Sequence, residues 1–293
     1  MKTQNLIIAF LFISLYSLAQ ETSLEIQEIS VINYGDNRLL YRELNENKTP
    51  LEGKHRIIDG YNSAYIIASF KNGMYHGNYQ YFKNNTLRDS ANYVNGYRDG
   101  LCKKYEFQGR MISSGEYTKG KLDGLFTTYN QNGKIETQQE FTMGIENGFF
   151  RRYNTETGKI SQETFYKDGK ADSIWVQHYW NSAGSYTQYS QFKNGIQIGK
   201  FTRIADNDTC ILKGFYSDGK KNGLWTYKNE DGTLKKEISY KNGQKNGPFK
   251  LYYKDGTLKK EGYYENNQII DKTEYRPNGR KIKNKKLHID YNK

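Results

Sequence analysis

Glycine and aromatic residues recur along this chain at a nearly constant spacing. Asn-Gly and Asp-Gly pairs, with Lys119-Gly120 and Met143-Gly144 as variants, place a first glycine every 23 to 26 residues. The first glycines are residues 73, 96, 120, 144, 169, 195, 219 and 243. A second glycine follows four residues later in every repeat except one, which has Ser173. Self-similarity at a fixed period is the signature of a repeat architecture, so the chain is predicted to consist of repeats of about 24 residues.

Hydrophobic positions inside each repeat have the even spacing of β-strands. An aromatic residue stands three positions before each first glycine, and the residue six positions before that aromatic is also hydrophobic. A second aromatic slot, occupied once by Cys102, lies two positions after the second glycine. Because side chains alternate between the two faces of a strand, these residues share one face. Each repeat is therefore predicted to be strand, turn, strand, turn, with the aromatic residues as a packing ladder between hairpins.

The two ends of the repeat array depart from this pattern, as capping repeats do. An imperfect first repeat begins near Pro50, and a decayed last repeat has Asn267 and Asp271 in place of its glycines. Residues 20–49 lack the repeat but contain strand-like runs at 24–34 and 38–43, which predict an N-terminal cap. The repeat array is predicted to span residues 50–282 as one domain, followed by a C-terminal tail at 283–293.

The first residues have the features of a secretory signal. Lys2 precedes an apolar run from Leu6 to Leu18, and Ser17-Leu18-Ala19 forms a cleavage site with small residues at both ends. The run is shorter than the roughly 20 residues that a membrane-spanning helix needs, so cleavage is preferred to a membrane anchor. Residues 1–19 are therefore predicted to be a signal peptide, and export to the periplasm or the cell exterior is expected.

Composition fits a thin sheet with a large surface. Only 35% of the residues are hydrophobic, but 15% are aromatic, and aromatic side chains suit pleated strands. The net charge is +12, and the lysines are spread through turns and alternate strand positions and are not clustered in an arm. This distribution indicates a solvated basic surface and no nucleic-acid partner; anionic lipid, acidic glycan and acidic protein remain as alternatives.

Candidate catalytic and metal-binding groups do not converge in the sequence. The four histidines, His55, His76, His178 and His288, fall in different repeats without metal-ligand spacing. The recurring Glu163, Glu237 and Glu261 are predicted to form a solvent-facing ladder with lysine. We therefore expect a protein that is not an enzyme and that has no cofactor, metal or catalytic residue.

Two cysteines in an exported chain raise the question of a disulfide. Cys102 and Cys210 lie four repeats apart, which corresponds to about 40 Å at the spacing of neighbouring strands. A disulfide requires Cα atoms within about 7 Å. Both cysteines are therefore predicted to be unpaired.

The repeat resembles the bacterial variant of the MORN (membrane occupation and recognition nexus) repeat. The match is best from Asp218 to Gly247, and it extends over residues 50 to about 282. The resemblance implies an elongated, single-layer antiparallel sheet of stacked β-hairpin repeats, an all-β fold. Bacterial members of the family are often labelled as antitoxins, and eukaryotic relatives are associated with membrane lipids and scaffolding.

Function is expected where the repeats differ from one another. The stretch from Ser173 to Phe192 breaks the glycine and charge pattern, which repeat decay explains equally well, and it contains the aromatic residues Trp175, Tyr179, Trp180, Tyr186 and Tyr189. Exposed aromatic residues there would stack on sugars or on a partner protein. The expected function is a scaffold that binds an unidentified protein or glycan of the bacterial envelope. The alternatives are a cell-wall or glycan binder, an immunity or antitoxin-like protein, and a protein that contacts an anionic membrane surface.

Overall fold

The structure is a computed structural model that describes residues 21–36, 38–181 and 184–282. The predicted signal peptide and C-terminal tail lie outside the described residues. The chain divides into two compact units: unit 1 is Met1–Arg110 with Thr118–Gly120, and unit 2 is Met111–Tyr117 with Lys121–Lys293.

Unit 1 contains the first nine strands. They are β1 (Thr22–Glu25), β2 (Ile29–Gly35), β3 (Arg38–Glu43), β4 (Gly53–Asp59), β5 (Ala64–Lys71), β6 (Met74–Lys83), β7 (Thr86–Val94), β8 (Tyr97–Arg98) and β9 (Gly100–Tyr105). From β4 onward the strands pair antiparallel, β4 with β5, β5 with β6, β6 with β7, and β7 with both β8 and β9. In the predicted cap, β2 and β3 form a separate antiparallel hairpin, and β1 is parallel to β4. The 3-10 helix Ile26–Glu28 divides the first strand-like run of the cap.

Unit 2 contains the other strands. They are β10 (Met111–Thr118), β11 (Lys121–Tyr129), β12 (Ile135–Thr142), β13 (Ile145–Tyr153), β14 (Ile160–Lys167), β15 (Lys170–Ala171), β16 (Ser173–Asn181), β17 (Gly184–Lys193), β18 (Ile196–Ala205), β19 (Cys210–Ser217), β20 (Lys220–Lys228), β21 (Leu234–Lys241), β22 (Gln244–Tyr252), β23 (Leu258–Glu265) and β24 (Gln268–Glu274). From β11 to β24 the strands follow chain order as antiparallel neighbours, with β14 pairing with both β15 and β16. The predicted all-β fold of stacked antiparallel hairpins is confirmed.

The turn at each first glycine links a repeat to the one before it. Asn242 and Gly243 both have positive φ, 51° and 85°, as a two-residue type I′ hairpin turn requires. The N–H of Gly243 donates to the carbonyl of Lys221, 2.9 Å away and 22 residues earlier. Corresponding bonds recur from Gly73 to the decayed last repeat, where Asn267 donates to the carbonyl of Lys245 at 2.9 Å. This regular bonding between turns explains why the spacing is nearly constant.

The second glycine lies in a β-bulge. Ser239 of β21 faces residues 246–248 of β22, because Ile238 pairs with Phe249 and Tyr240 pairs with Lys245. Gly247, in this bulge, has φ of +106°, and a Cβ added to it would lie 3.0 Å from the Ser239 Cβ. Glycine is therefore required here for both its backbone conformation and its lack of a side chain.

Ser173 occupies this second-glycine slot with φ of 154°. Replacing it with glycine is expected to stabilise unit 2 by about 1 kcal/mol, because a non-glycine residue in this region is strained. Ser185 of β17 has no positive φ; Ser185→Gly is therefore a matched control, which is expected to destabilise by about 0.5–1 kcal/mol because glycine loses more conformational entropy on folding. Urea unfolding of the two variants measures both changes. A loss of stability in Ser173→Gly would show that the serine is not strained.

The predicted aromatic ladder is present in both units. In unit 1, Tyr79 and Tyr93 meet edge to face with ring centroids 5.3 Å apart. In unit 2, the Trp225 ring lies 5.4 Å from that of Phe201 and 6.1 Å from that of Tyr240. Trp225 and Phe249 are the largest fully buried side chains of the unit. We call the side of the unit 2 sheet that carries Phe201, Trp225 and Phe249 the ladder face.

Both cysteines are free thiols in the structure, as predicted. Cys102 is buried in a ladder slot, and burial raises the pKa of its thiol. Cys210 is half-buried at the start of β19, in the slot that Leu234 occupies in the next repeat.

Candidate binding face of unit 2

The five aromatic residues predicted as a site lie on two faces of the sheet. Trp175, Tyr179 and Tyr186 are on the ladder face: the Trp175 ring is 5.3 Å from that of Phe192, and the Tyr179 and Tyr186 rings stack at 4.7 Å. Trp180 and Tyr189 point to the opposite face and are 51% and 37% exposed. The five residues therefore do not form one site, because successive residues of a strand point to opposite faces of the sheet.

A cleft of about 300 Å³ opens on the ladder face next to Trp175. It is lined by Trp175, Gln177, Gln188, Ser190, Phe192, Gln197, Phe201, Arg203 and Tyr216. Gln188 accepts a hydrogen bond at 2.9 Å from Nε of Arg203. The Arg203 guanidinium carbon lies 5.0 Å from the centre of the Tyr186 ring. We call this the amide cleft, because three glutamine side chains give it paired donors and acceptors beside aromatic rings.

Four cations lie on the ladder face from β18 to β22. They are Arg203, Lys221, Lys236 and Lys245, which we call the basic cluster. The Lys221 Nζ lies 4.2 Å from the centre of the Trp225 ring and 5.2 Å from that of Tyr240. The Lys236 Nζ lies 4.4 Å from the centre of the Tyr227 ring, and the Lys245 Nζ lies 5.1 Å from the centre of the Tyr264 ring. All four side chains are half-buried, with cations held over aromatic faces.

The basic cluster has no internal counter-charge. Within the described part of the chain, none of its four side chains forms an ion pair with a carboxylate. Burial, followed by the positive charges of Lys236, Arg203 and Lys245, lowers the pKa of Lys221. Burial, followed by Lys235 and Lys245, lowers the pKa of Lys236. Lys221 and Lys236 thus carry their charges at a cost, which an anion placed beside them would reduce.

The opposite face of unit 2 is more exposed and partly apolar. Its exposed hydrophobic residues include Leu125, Phe149, Ile174, Phe215 and Leu224. A shallow depression of about 610 Å³ there is lined by Phe215 and Leu224 together with Lys200, Lys213 and Lys228. The ladder face therefore presents cations and amide groups beside aromatic rings, whereas the opposite face presents exposed apolar side chains together with lysines.

The recurring glutamates lie on the opposite face, where their hydrogen-bond partners differ from those predicted. Lys250 is the cross-strand neighbour of both Glu237 and Glu261, as a ladder with lysine requires. The hydrogen bonds to these two carboxylates, however, come from the hydroxyls of Tyr252 and Tyr275, at 2.8 and 2.5 Å. Glu163 pairs with Arg151 at 2.6 Å. These glutamates thus serve to join neighbouring strands.

Unit 1 has a separate cleft of about 320 Å³. Its walls are mainly aliphatic and aromatic, and they include Tyr65 and Tyr81 as well as the charged residues Asp59 and Lys83. The buried hydroxyls of Tyr75 and Tyr41 meet beneath it at 2.6 Å. This cleft lacks the run of uncompensated charges found in unit 2.

Other types of site have little support in the described residues. No three side chains of His, Cys, Asp or Glu converge there as metal ligands would. His288 lies outside those residues. Over the same residues, no helix has the length and apolar character needed to cross a bilayer.

Three segments match a known family, the one described as MORN repeat variant. The matched residues are 122–142, 221–242 and 245–266, and the last two contain three of the four residues of the basic cluster. The chain carries MORN repeats of the variant type. MORN repeats are generally protein- or membrane-binding motifs. The resemblance seen in the repeat pattern is confirmed.

Comparisons with solved structures and with curated proteins add little information about function. Two solved structures that align with the chain are the Tc holotoxin pore of Photorhabdus luminescens and the TcdB2–TccC3–Cdc42 complex, each at 12% identity. The alignments cover 84% and 87% of this chain but 16% of each of those chains, with TM-scores of 0.17 and 0.15. Such low scores do not support a functional argument. No curated protein matches the chain.

Proposed function

We propose that this MORN-repeat protein is an exported, non-enzymatic scaffold that binds a partner of the bacterial envelope through the ladder face of unit 2. The basic cluster is the observation that carries the proposal, because its cations are half-buried and have no ion-pair partner among the residues that the structure describes. Folding tolerates such an arrangement more readily when a ligand supplies the missing charge. The leader at residues 1–19 supports export to the periplasm or the cell exterior.

Glycan binding is a second candidate, and the amide cleft favours it over a protein partner. Aromatic rings with adjoining amide side chains can stack on sugar rings and exchange hydrogen bonds with their hydroxyl groups. Trp175 and Phe192 provide the rings, and Gln177, Gln188 and Gln197 provide the amides. No described feature of either unit specifically favours an immunity or antitoxin role.

Recovery of the native complex tests the proposal. A full-length chain with a C-terminal tag, expressed in its own host, is expected in the periplasm or the medium as a mature form that begins near Gln20. It should retain an envelope component after mild purification. The double variant Lys221→Glu/Lys245→Glu should lose that component, because it reverses two charges of the basic cluster.

Lys200→Glu/Lys213→Glu is the matched control, since both lysines are exposed on the opposite face. This variant should retain the component. Circular dichroism shows whether each variant is folded. Recovery of the chain from the cytoplasm alone, or equal retention by both double variants, would contradict the proposal.

A further inference from the structure

We infer that the basic cluster binds the acidic groups of an anionic polysaccharide that lies across the strands of the ladder face. This inference rests on the proposed function and specifies the ligand of that face. It starts from a comparison of equivalent positions in different repeats.

The slots of Lys236 and Lys245 hold an ion pair in unit 1. Lys236 and Lys245 are nine residues apart, as are Asp89 and Arg98, and each pair occupies the same two repeat positions. Arg98 and Asp89 form a hydrogen-bonded ion pair in which both side chains are largely buried. In the later repeat, lysine replaces the aspartate, so two cations lie where the fold elsewhere places opposite charges. An external anion would fill the role that Asp89 has beside Arg98.

The four cations of the cluster are distributed over five neighbouring strands. Arg203 lies on β18, Lys221 on β20, Lys236 on β21 and Lys245 on β22. Four strand spacings from β18 to β22 amount to about 19 Å. A linear polyanion that crosses the strands matches that span, whereas a single phosphate or carboxylate is much smaller than it.

The neighbouring polar groups favour a polysaccharide over a membrane surface. Hydroxyl groups of Tyr216, Tyr227 and Tyr240 lie beside the cations, and the Lys221 Nζ is 3.5 Å from the Tyr227 hydroxyl. The amide cleft continues the same track, since Arg203 and Tyr216 also line that cleft. Sugar hydroxyls would use both sets of groups, but a flat layer of lipid headgroups would not enter the cleft. Exposed lysines such as Lys200 and Lys213 lie on the opposite face of unit 2, where a membrane would be contacted more easily.

Installing the missing carboxylate tests the inference. Lys236→Asp recreates the Asp89–Arg98 arrangement beside Lys245, so the internal acid competes with any external one. Lys213→Asp has the same change of charge, on an exposed residue of the opposite face. The probes are short oligogalacturonates, their fully methyl-esterified neutral forms, and dextran sulfate, with binding measured by calorimetry on the mature chain at low and high salt. Phosphatidylglycerol vesicles and inorganic phosphate serve as further probes.

The expected result is that wild type and Lys213→Asp bind an acidic polysaccharide, and that Lys236→Asp binds it at least tenfold more weakly. The neutral form should not bind, and added salt should weaken binding because exposed charges are screened. Without ligand at low salt, Lys236→Asp should melt above the wild type, because the new carboxylate would lie beside Lys221 and Lys245 in place of like-charge repulsion.

The inference would be overturned by no binding of either acidic polysaccharide, by equal binding by both variants, or by binding of phosphatidylglycerol vesicles alone with the same dependence on Lys236. Saturation by inorganic phosphate at the affinity of the polysaccharides would also overturn it, because a single anion would then suffice. Failure to bind polysaccharide would leave the proposal of an envelope complex standing, because retention of that complex is measured separately. Loss of that complex with polysaccharide binding retained would contradict only the proposed cellular role.

Discussion

Replacing Trp225 with alanine is expected to destabilise unit 2 by about 3–5 kcal/mol, the range for truncating a buried tryptophan. Trp225 is 1% exposed, and its ring contacts those of Phe201, Tyr216 and Tyr240. A cavity there would remove packing from three strands at once. Urea unfolding followed by far-ultraviolet circular dichroism measures the loss.

Trp180→Ala is the matched control, because Trp180 is 51% exposed and lies on the opposite face. Its expected cost is within about 0.5 kcal/mol, as for most surface substitutions. Equal costs for the two tryptophans would show that the ladder does not hold unit 2 together. A smaller cost for Trp225→Ala would have the same meaning.

Replacing Leu51 with alanine is expected to destabilise unit 1 by about 2–5 kcal/mol. Leu51 is 1% exposed and belongs to a buried cluster with Ile29, Tyr41, Phe70 and Tyr75. The cluster packs the N-terminal cap against the first repeats, so a cavity at Leu51 is expected to lower the stability of both. Limited proteolysis should show earlier cleavage within residues 21–60, along with the lower unfolding free energy.

Leu44→Ala provides the comparison for this variant, since Leu44 is 59% exposed near the end of the cap hairpin. Its expected effect is within about 0.5 kcal/mol. Indistinguishable proteolysis of the two leucine variants would mean that the cap is not held to the repeats through Leu51.

Different positions on the ladder face of unit 2 separate stability from binding. Ladder slots such as those of Trp225 and Phe249 hold large buried rings, which leave little accessible surface for a ligand to contact. The slots of Lys221 and Lys236 border the same rings but vary in chemistry from repeat to repeat. A repeat protein can thus change its ligand at such bordering positions without altering the packing that holds its strands together.

Several features of this protein were predictable from the sequence because they depend on local chemistry. Paired glycines determine where turns form, since few other residues adopt positive φ at low cost. Even spacing then places Tyr79 with Tyr93 and Trp225 with Tyr240 on common faces, as the ring contacts confirm. The run Arg38–Glu43 was likewise predicted as a strand and forms β3.

The candidate site was not predictable in the same way. The sequence drew attention to Ser173–Phe192 as a departure from the repeat, but the structure divides its aromatic residues between two faces, because period two separates Trp175 and Tyr179 from Trp180 and Tyr189. Lys236 and Lys245 looked like ordinary basic residues. Their significance depends on half-burial, on the aromatic rings beneath them and on the absence of a nearby carboxylate among the described residues, which are properties of neighbouring strands.

The sequence by itself therefore determined the strand-and-turn repeat and the composition of the aromatic ladder, since each follows from backbone preference and side-chain alternation. Only the tertiary structure decided which charges remain uncompensated. Pairing across a sheet brings together residues nine positions apart, such as Asp89 with Arg98, and leaves Lys236 beside Lys245. The energy of a charge depends on what surrounds it in space, and the linear order of residues does not specify those surroundings.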